Sequence, residues 1–555
     1  MKKLITLSLS LIMLAASSIA VAAPAMPKKM THRQPDGSTI EVYLRGDEHA
    51  HYFQTANGTR VERNAEGYFV KALEPIKRQN RTIHTLNNAK KAPGAITTTF
   101  PTKGNVRGLV IMVEFQDVTF SEEATKEVYN QMVNQENYNG TLATGSIYDF
   151  FHDQSNGEFS LNCDVVGPVK LSQNMAYYGE NDRFDVDPIC EMVDEACRLV
   201  NDEVDFSQYD SNDDGMVDFI YVIYAGYGEA QGGAPETIWP QSWSLEYYSF
   251  EAFDGVYLGQ FACSCELRGA EGTTLDGIGT FCHEFGHILG LPDLYDTGFM
   301  GQNPGMGYWD TMDVGSYNNE SKTPAGYTSI NKYALGWMTP TVLDNNTTEV
   351  TLDAFATSNK SYFLVSETDA NEYYIFENRQ PIEWDLHLPD HGLLVTHVKY
   401  DKKIWDQNIP NTSGRVSHEH VHLVAADNDP FVNAGDTYPG KDGKYATLTA
   451  TTTPAFKWFD GTKVSATITD IREEGNQIMF RHNSTTAVDN ATMDNATAVA
   501  TDGGIIINNP DCLPIVISTV TGVVVYNGTT ANGTIALAPS IYIVKIGDKV
   551  TKLSI

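Results

Sequence analysis

The spacing of apolar positions changes along this chain, and each change predicts a different kind of element. Between residues 24 and 103 it carries short alternating stretches, Thr39-Ile40-Glu41-Val42-Tyr43-Leu44 and Gly67-Tyr68-Phe69-Val70. Turn signals at Asp36-Gly37 and Asn57-Gly58 split them. Alternation bounded by such turns predicts half-buried strands and a small β-rich unit. From 105 to 340 the pattern mixes. Leu109-Val110-Ile111-Met112-Val113 and Phe219-Ile220-Tyr221-Val222-Ile223-Tyr224 read as fully buried strands. Helical spacing is expected near 122–134, 146–153 and 188–200, a strand over 159–171, and an edge strand beside a cleft over 256–263. Strands alternating with helices predict an α/β sheet.

From 341 to 483 β periodicity returns, with strands expected at 348–352, 373–376, 393–398, 422–425 and 478–480. Residues 484–502 are Thr, Ala and Asn with few large apolar groups, which is linker composition. Residues 503–555 alternate short apolar runs with glycine turns and are expected to form a small β-sandwich-like module.

The first 22 residues have a basic start at Lys2-Lys3, an apolar run over 4–16 and small residues at Ala20-Val21-Ala22. That is the form of a secretory signal peptide, removed after Ala22. No later segment is apolar for long enough to span a membrane as a helix. Export is expected, with residues 23–104 as a propeptide whose tail, 90–104, is an exposed, cleavable linker. The rival for 23–104 is a permanent accessory unit.

Charge and cysteine usage narrow the class. The net charge of −33 disfavours nucleic acid, whose phosphates would be repelled. Seven cysteines are an odd number, so at least one is free or pairs outside the chain. Cys190 and Cys197 fall in one helical pattern, with Cα atoms roughly 10 Å apart, too far for a bridge. Most of the seven are expected to be buried apolar groups.

The chemistry concentrates in His283-Glu284-Phe285-Gly286-His287-Ile288-Leu289-Gly290-Leu291-Pro292-Asp293. Histidines four apart share one helix face and can reach one metal. Glu284 can hold a water beside that metal without being a ligand. Gly290 lets the chain leave the helix through a left-handed residue. That exit brings Asp293 back as a third ligand. Two histidines and a carboxylate leave zinc an open position, the arrangement of a catalytic site. Ile278, Phe281, Phe285, Ile288 and Leu289 supply the apolar stripe that holds such a helix against a core.

Further along, Tyr308-Trp309-Asp310-Thr311-Met312-Asp313-Val314-Gly315-Ser316-Tyr317 puts Met312 where a turn can lay it beneath a metal. Tyr317 is a candidate for reaching the metal or holding the oxyanion that forms when water attacks a peptide carbonyl. Asp210-Ser211-Asn212-Asp213-Asp214-Gly215-Met216-Val217-Asp218 fits D-x-N-x-D-G, the first half of a calcium loop. Asp210, Asn212, Asp214, Met216 and Asp218 are its candidate ligands. Position twelve is Tyr221, so it is not an EF-hand. His418, His420 and His422 alternate and would share a strand face, more in keeping with a polar surface than with a second metal.

These residues resemble the immune inhibitor A family of secreted zinc metallopeptidases. The resemblance rests on His283-Glu284-Phe285-Gly286-His287 through Asp296, on Trp309 through Ser316, and on Ala334-Leu335-Gly336-Trp337. It extends to Val222 through Ala230, Ile238-Trp239-Pro240, Glu377-Asn378-Arg379-Gln380, His391 through Leu394, and Gly435-Asp436. It implies a metzincin-like α/β catalytic domain over 105–340, zymogen processing, calcium and broad protein cleavage. It also implies His283 and His287 as zinc ligands and Glu284 as general base. Asp293 stands where typical metzincins have a histidine. Residues 503–555, with Ile541-Tyr542-Ile543-Val544-Lys545 and Lys552-Leu553-Ser554-Ile555, are similar to type IX secretion sorting domains, which implies an export machinery as partner and release or surface attachment.

The expectation is a zinc metalloendopeptidase acting on proteins and made as a zymogen. The propeptide holds no cysteine, which excludes a thiolate cap on the metal. A carboxylate, a histidine or the α-amino group freed by signal removal remain. The rival from another class is a surface adhesin or binding protein on an inactive protease scaffold.

Overall fold

The computed structural model describes residues 21–73, 100–179, 188–298, 303–484 and 496–555, apart from residues 49, 65, 247, 345, 346, 433, 502, 510, 511, 521, 530, 531 and 548. The signal-peptide reading of 1–20 and most of the linker readings at 90–104 and 484–502 lie outside the described residues. Strands dominate and helices are few.

A six-stranded sheet carries the site. Its strands are β1 (Val21–Ala22), β2 (Gly104–Glu114), β3 (Phe159–Lys170), β4 (Ile220–Tyr227), β5 (Gln241–Ser244) and β6 (Gln260–Leu267), in the spatial order β1-β5-β6-β4-β2-β3. β6, β4, β2 and β3 pair in parallel, whereas β5 runs antiparallel to both neighbours. The parallel strands are apolar without a break because both faces are covered. Val110 and Met112 point into one core, and Leu109, Ile111 and Val113 into the other.

Helices α1 (Lys126–Asn134), α2 (Ile147–Gln154) and α4 (Gly279–Ile288) pack on the first face, and α3 (Pro188–Val200) on the second. Ser146 starts α2 with a capping box shared with Asp149. The helical spacing near 122–134, 146–153 and 188–200 therefore matches α1, α2 and α3.

One edge is corrected. The run 256–263 does not form the edge beside the cleft: β6 is interior, and the edge is β5 with β1 laid on it. The sequence Gln-Ser-Trp-Ser of β5 is too short and too polar to announce a strand.

Five strands from Lys29–Arg33 to Phe69–Lys71 form a separate meander, turning at Gly37 and Gly58, where φ is positive. After residue 340, a five-stranded and a three-stranded sheet share one core around Phe376, Leu393, Phe456 and Ile478. Arg379, on the strand Glu372–Arg379, is fully buried. It gives two hydrogen bonds to Asp385 and one each to Glu377, Trp309 O and Gly326 O. The last residues make two facing sheets of three and four strands around Ile505, Ile517 and Val544. One of these strands, Thr497–Thr501, begins inside the stretch read as linker, where small residues hid its alternation.

Six of the seven cysteines are buried, and Cys512 is exposed. Among the described residues no helix is long and apolar enough to cross a membrane.

Candidate active site

The His-Glu-x-x-His motif lies on α4, whose Phe281, Phe285 and Ile288 anchor it in the aromatic core beneath the sheet. His283 and His287 stand one turn apart with ring planes at 88°. The chain leaves α4 through Gly290 at φ +96°, and Leu291 N–H returns to Gly286 O at 3.0 Å. That turn carries Asp293 back over the histidines. Its Oδ1 lies 3.2 Å from both Nε2 atoms, which are themselves 3.2 Å apart.

This triangle fits a metal. Bonds of about 2.0–2.1 Å at tetrahedral angles place ligand atoms roughly 3.3 Å apart. His283 Nδ1 faces Thr311 O and His287 Nδ1 faces Leu291 O, each at 2.8 Å. A protonated Nδ1 on each ring leaves both Nε2 lone pairs aimed at one point. Asp293 Oδ1 and Glu284 Oε2 are buried without a hydrogen-bond partner. Among the described residues these three are the one group of three or more His, Cys, Asp or Glu gathered tightly enough for an ion.

The local electrostatics follow from burial and proximity. Burial alone would raise the Asp293 carboxyl, but the facing His287 and His283 hold it well below the usual range. Burial acts to lower His287, yet the charge and hydrogen bond of Asp293, the Leu291 carbonyl and Glu48 together raise its pKa. Burial pushes Glu284 well above its ordinary value and the Asp293 charge adds to this, while a hydrogen bond from Ala23 N–H works in the opposite direction.

Met312 is fully buried against α4 at Gly286. A Cβ at Gly286 would come within 2.4 Å of its Sδ, so the helix approaches this floor at a residue that has no side chain. Leu294 N–H to Met312 O, at 2.8 Å, ties the ligand loop to the same floor.

A segment of the chain already crosses the site. β1 pairs antiparallel with β5, Val21 opposite Ser242 and Ala22 opposite Gln241. Ala23 N–H then donates to Glu284 Oε1 at 2.7 Å, and Tyr295 O–H donates to Ala22 O at 2.6 Å. Trp239 Nε1–H reaches Ala23 O at 2.8 Å and Tyr317 O–H reaches Pro24 O at 2.7 Å. The peptide bond between Ala22 and Ala23 is thus held at its nitrogen by Glu284 and at its oxygen by Tyr295.

Tyr317 thus contacts the carbonyl of Pro24 and Tyr295 that of Ala22, two residues nearer the start of the segment. Tyr295 lies two residues after Asp293 in the motif and went unread as chemistry. Trp239 is visible in the sequence only through the family resemblance, and β5 leaves no signal because pairing across a cleft has no periodic trace.

The acidic loop is turned by Gly215 at φ +86°. Asp210 accepts from Asp214 N–H and Gly215 N–H, Asn212 from Asp214 N–H, and Asp214 from Met216 N–H. Asp218 accepts from Ser211 N–H. The three carboxylates do not close into a second tight group. His418, His420 and His422 do not converge either: the strand there is only Val421–Leu423, His420 faces Lys399 O and His422 faces Glu419.

An extended peptide threaded beside a two-histidine, one-carboxylate centre, with a glutamate on its amide, defines a metallopeptidase-type site. Residues 100–338 match the model of the immune inhibitor A peptidase M6 catalytic domain. The chain is homologous to proteins named as metalloproteases. It is 26% identical over 256 residues to the pre-pro-metalloprotease PrtV of Vibrio cholerae serotype O1, covering 38% of this chain and 27% of that protein. It is 24% identical over 344 residues to immune inhibitor A of Bacillus thuringiensis subsp. alesti, covering 54% of this chain and 48% of that protein. The chain thus spans about a quarter and about half of these two relatives.

Proposed function

We propose that this protein is an exported zinc metalloendopeptidase made as a zymogen, with a metzincin-like α/β catalytic domain over residues 105–340. The observation that carries the reading is the peptide bond between Ala22 and Ala23, held at its nitrogen by Glu284 and at its oxygen by Tyr295, both from the segment that gathers His283, His287 and Asp293.

His283, His287 and Asp293 would hold the zinc, which when bound polarises the scissile carbonyl and acidifies a water. Glu284 takes the proton of that attacking water and passes it to the leaving amine. The contact with Ala23 N–H supports the second role, because it puts the carboxylate on the nitrogen that must be protonated. Tyr295 O–H, on the carbonyl oxygen of the same bond, would stabilise the charge developing there. β5 binds substrate by antiparallel strand addition, which recognises backbone and so suits many proteins.

Residues 23–104 act as the propeptide under this reading. The segment before Lys29 fills the cleft and occupies the base. Signal cleavage after Ala22 would leave a new α-amino group facing Glu284. Residues 341–483 form a β-rich domain and residues 503–555 serve sorting and export. Calcium is the proposed ion for the loop from Asp210 to Asp218. Millimolar calcium should raise the melting temperature of the intact chain but not of Asp210→Ala, and equal shifts in both would remove the ion.

The test is Glu284→Ala in the matured protein, assayed on unfolded casein with bound zinc measured in parallel. Zinc should stay at one equivalent while cleavage falls to background. Undiminished cleavage would overturn the mechanism. A wild-type protein that holds zinc yet leaves casein intact would favour a binding protein on a protease scaffold.

A further inference from the structure

We infer that Asn408, outside the matched peptidase domain, is the positioning residue for the third metal ligand. The inference rests on the metallopeptidase reading above.

Each ligand has an outer partner. His283 and His287 lean on backbone carbonyls of their own region, Thr311 O and Leu291 O. Asp293 instead leans on a side chain 115 residues away. Asn408 Nδ2–H donates to Asp293 Oδ2 at 2.5 Å, and Asn408 Oδ1 accepts from Asp293 N–H at 2.6 Å. One amide thus grips the backbone and the carboxylate of the same residue. With Oδ2 held, Oδ1 alone turns to the two Nε2 atoms, and the carboxylate is fixed for single-oxygen binding. A carboxylate that could swing would offer both oxygens or neither.

The grip is built in. Asn408 sits in the left-handed region at φ +54°, which asparagine tolerates better than other non-glycine residues. Its N–H is tied to Trp405 O at 3.0 Å. Neighbouring contacts clamp the same two stretches together. Asn411, fully buried, gives Nδ2–H to Leu294 O at 2.7 Å, and Ser413 N–H reaches Asp296 Oδ1 at 2.8 Å. The Asp293 loop is therefore shaped from the β-rich region rather than by the zinc helix alone.

Outer partners of metal ligands are worth about 10- to 100-fold in metal affinity. The test uses the full chain with Asn408→Gly, which accepts the positive φ while removing the amide, and Asn408→Asp, which keeps an acceptor for Asp293 N–H but loses the donor to Oδ2. Zinc affinity is measured by competition with a chromophoric chelator, beside the melting temperature of the metal-free protein. Both variants should melt near wild type and bind zinc about 10- to 100-fold more weakly. Should Asn408→Gly fail to fold, Asn408→Asp decides. Wild-type affinity in a folded variant would overturn the role of Asn408. Zinc affinity left unchanged by His283→Ala, in a chain with Asn408 intact, would instead overturn the metallopeptidase reading.

Discussion

Ala23 and Glu284 lie 261 residues apart in the chain and meet through a 2.7 Å hydrogen bond at the centre of the cleft. The contact engages the carboxylate proposed as general base. A hexapeptide with the sequence of residues 23–28 should therefore inhibit the matured enzyme competitively. Acetylating its amino end, which removes the charge facing Glu284, should weaken inhibition about tenfold, or roughly 1.4 kcal/mol. Equal inhibition constants for the two peptides would count against a latch centred on that nitrogen.

Tyr295 and Tyr317 are separable by kinetics. Tyr295 holds the oxygen of the bond under Glu284, whereas Tyr317 holds Pro24 O further along the segment. Tyr295→Phe should lower kcat about 100-fold with KM little changed, the behaviour of a group acting on developing charge. Tyr317→Phe should chiefly raise KM. Steady-state rates on one fluorogenic peptide decide, and the reverse pattern would exchange the two roles.

Latency should depend on pH through His51. Its Nε2 lies 2.9 Å from Glu229 across the junction between the N-terminal meander and the catalytic region, and its ring stacks on Trp239. Burial acts to lower its pKa, but the contact with Glu229 prevails and raises it above 6.5. The contribution is therefore fully present below pH 6.5 and is lost as pH rises through the docked value. Spontaneous activation of the purified zymogen should accelerate with rising pH across that window. His51→Gln should flatten the dependence, as followed by the time course of processing.

Gly286→Ala should disturb the metal floor. The added methyl would meet Met312 Sδ at 2.4 Å inside a closed core. Overpacking of this kind costs about 1–3 kcal/mol. Calorimetry should register the loss of stability, and an unchanged melting temperature would mean that Met312 yields freely.

The sequence made the candidate metal centre legible because its parts are local. Two histidines one turn apart, a glycine exit and an aspartate three residues later fall within a single short run, as does the buried-strand pattern of β2 and β4. What stayed hidden comes from distant chain. Asn408 belongs to a stretch with no periodicity, and only the fold brings it to Asp293. β5 is only Gln-Ser-Trp-Ser, too short and polar to show a period. Tyr295 was visible in the motif, but nothing in its spacing says that its hydroxyl faces a carbonyl.

The burial of Arg379 has a thermodynamic consequence. Its guanidinium, from the β-rich region, satisfies Trp309 O and Gly326 O as well as Asp385 and Glu377. Cutting the chain near residue 340 would strip those two carbonyls of their donor. Opening only the β-rich region would expose an ion network whose disruption costs about 3–5 kcal/mol. The two regions are thus joined into a single cooperative unit, and heat should melt the protease floor and the sheet behind it in one transition, not two.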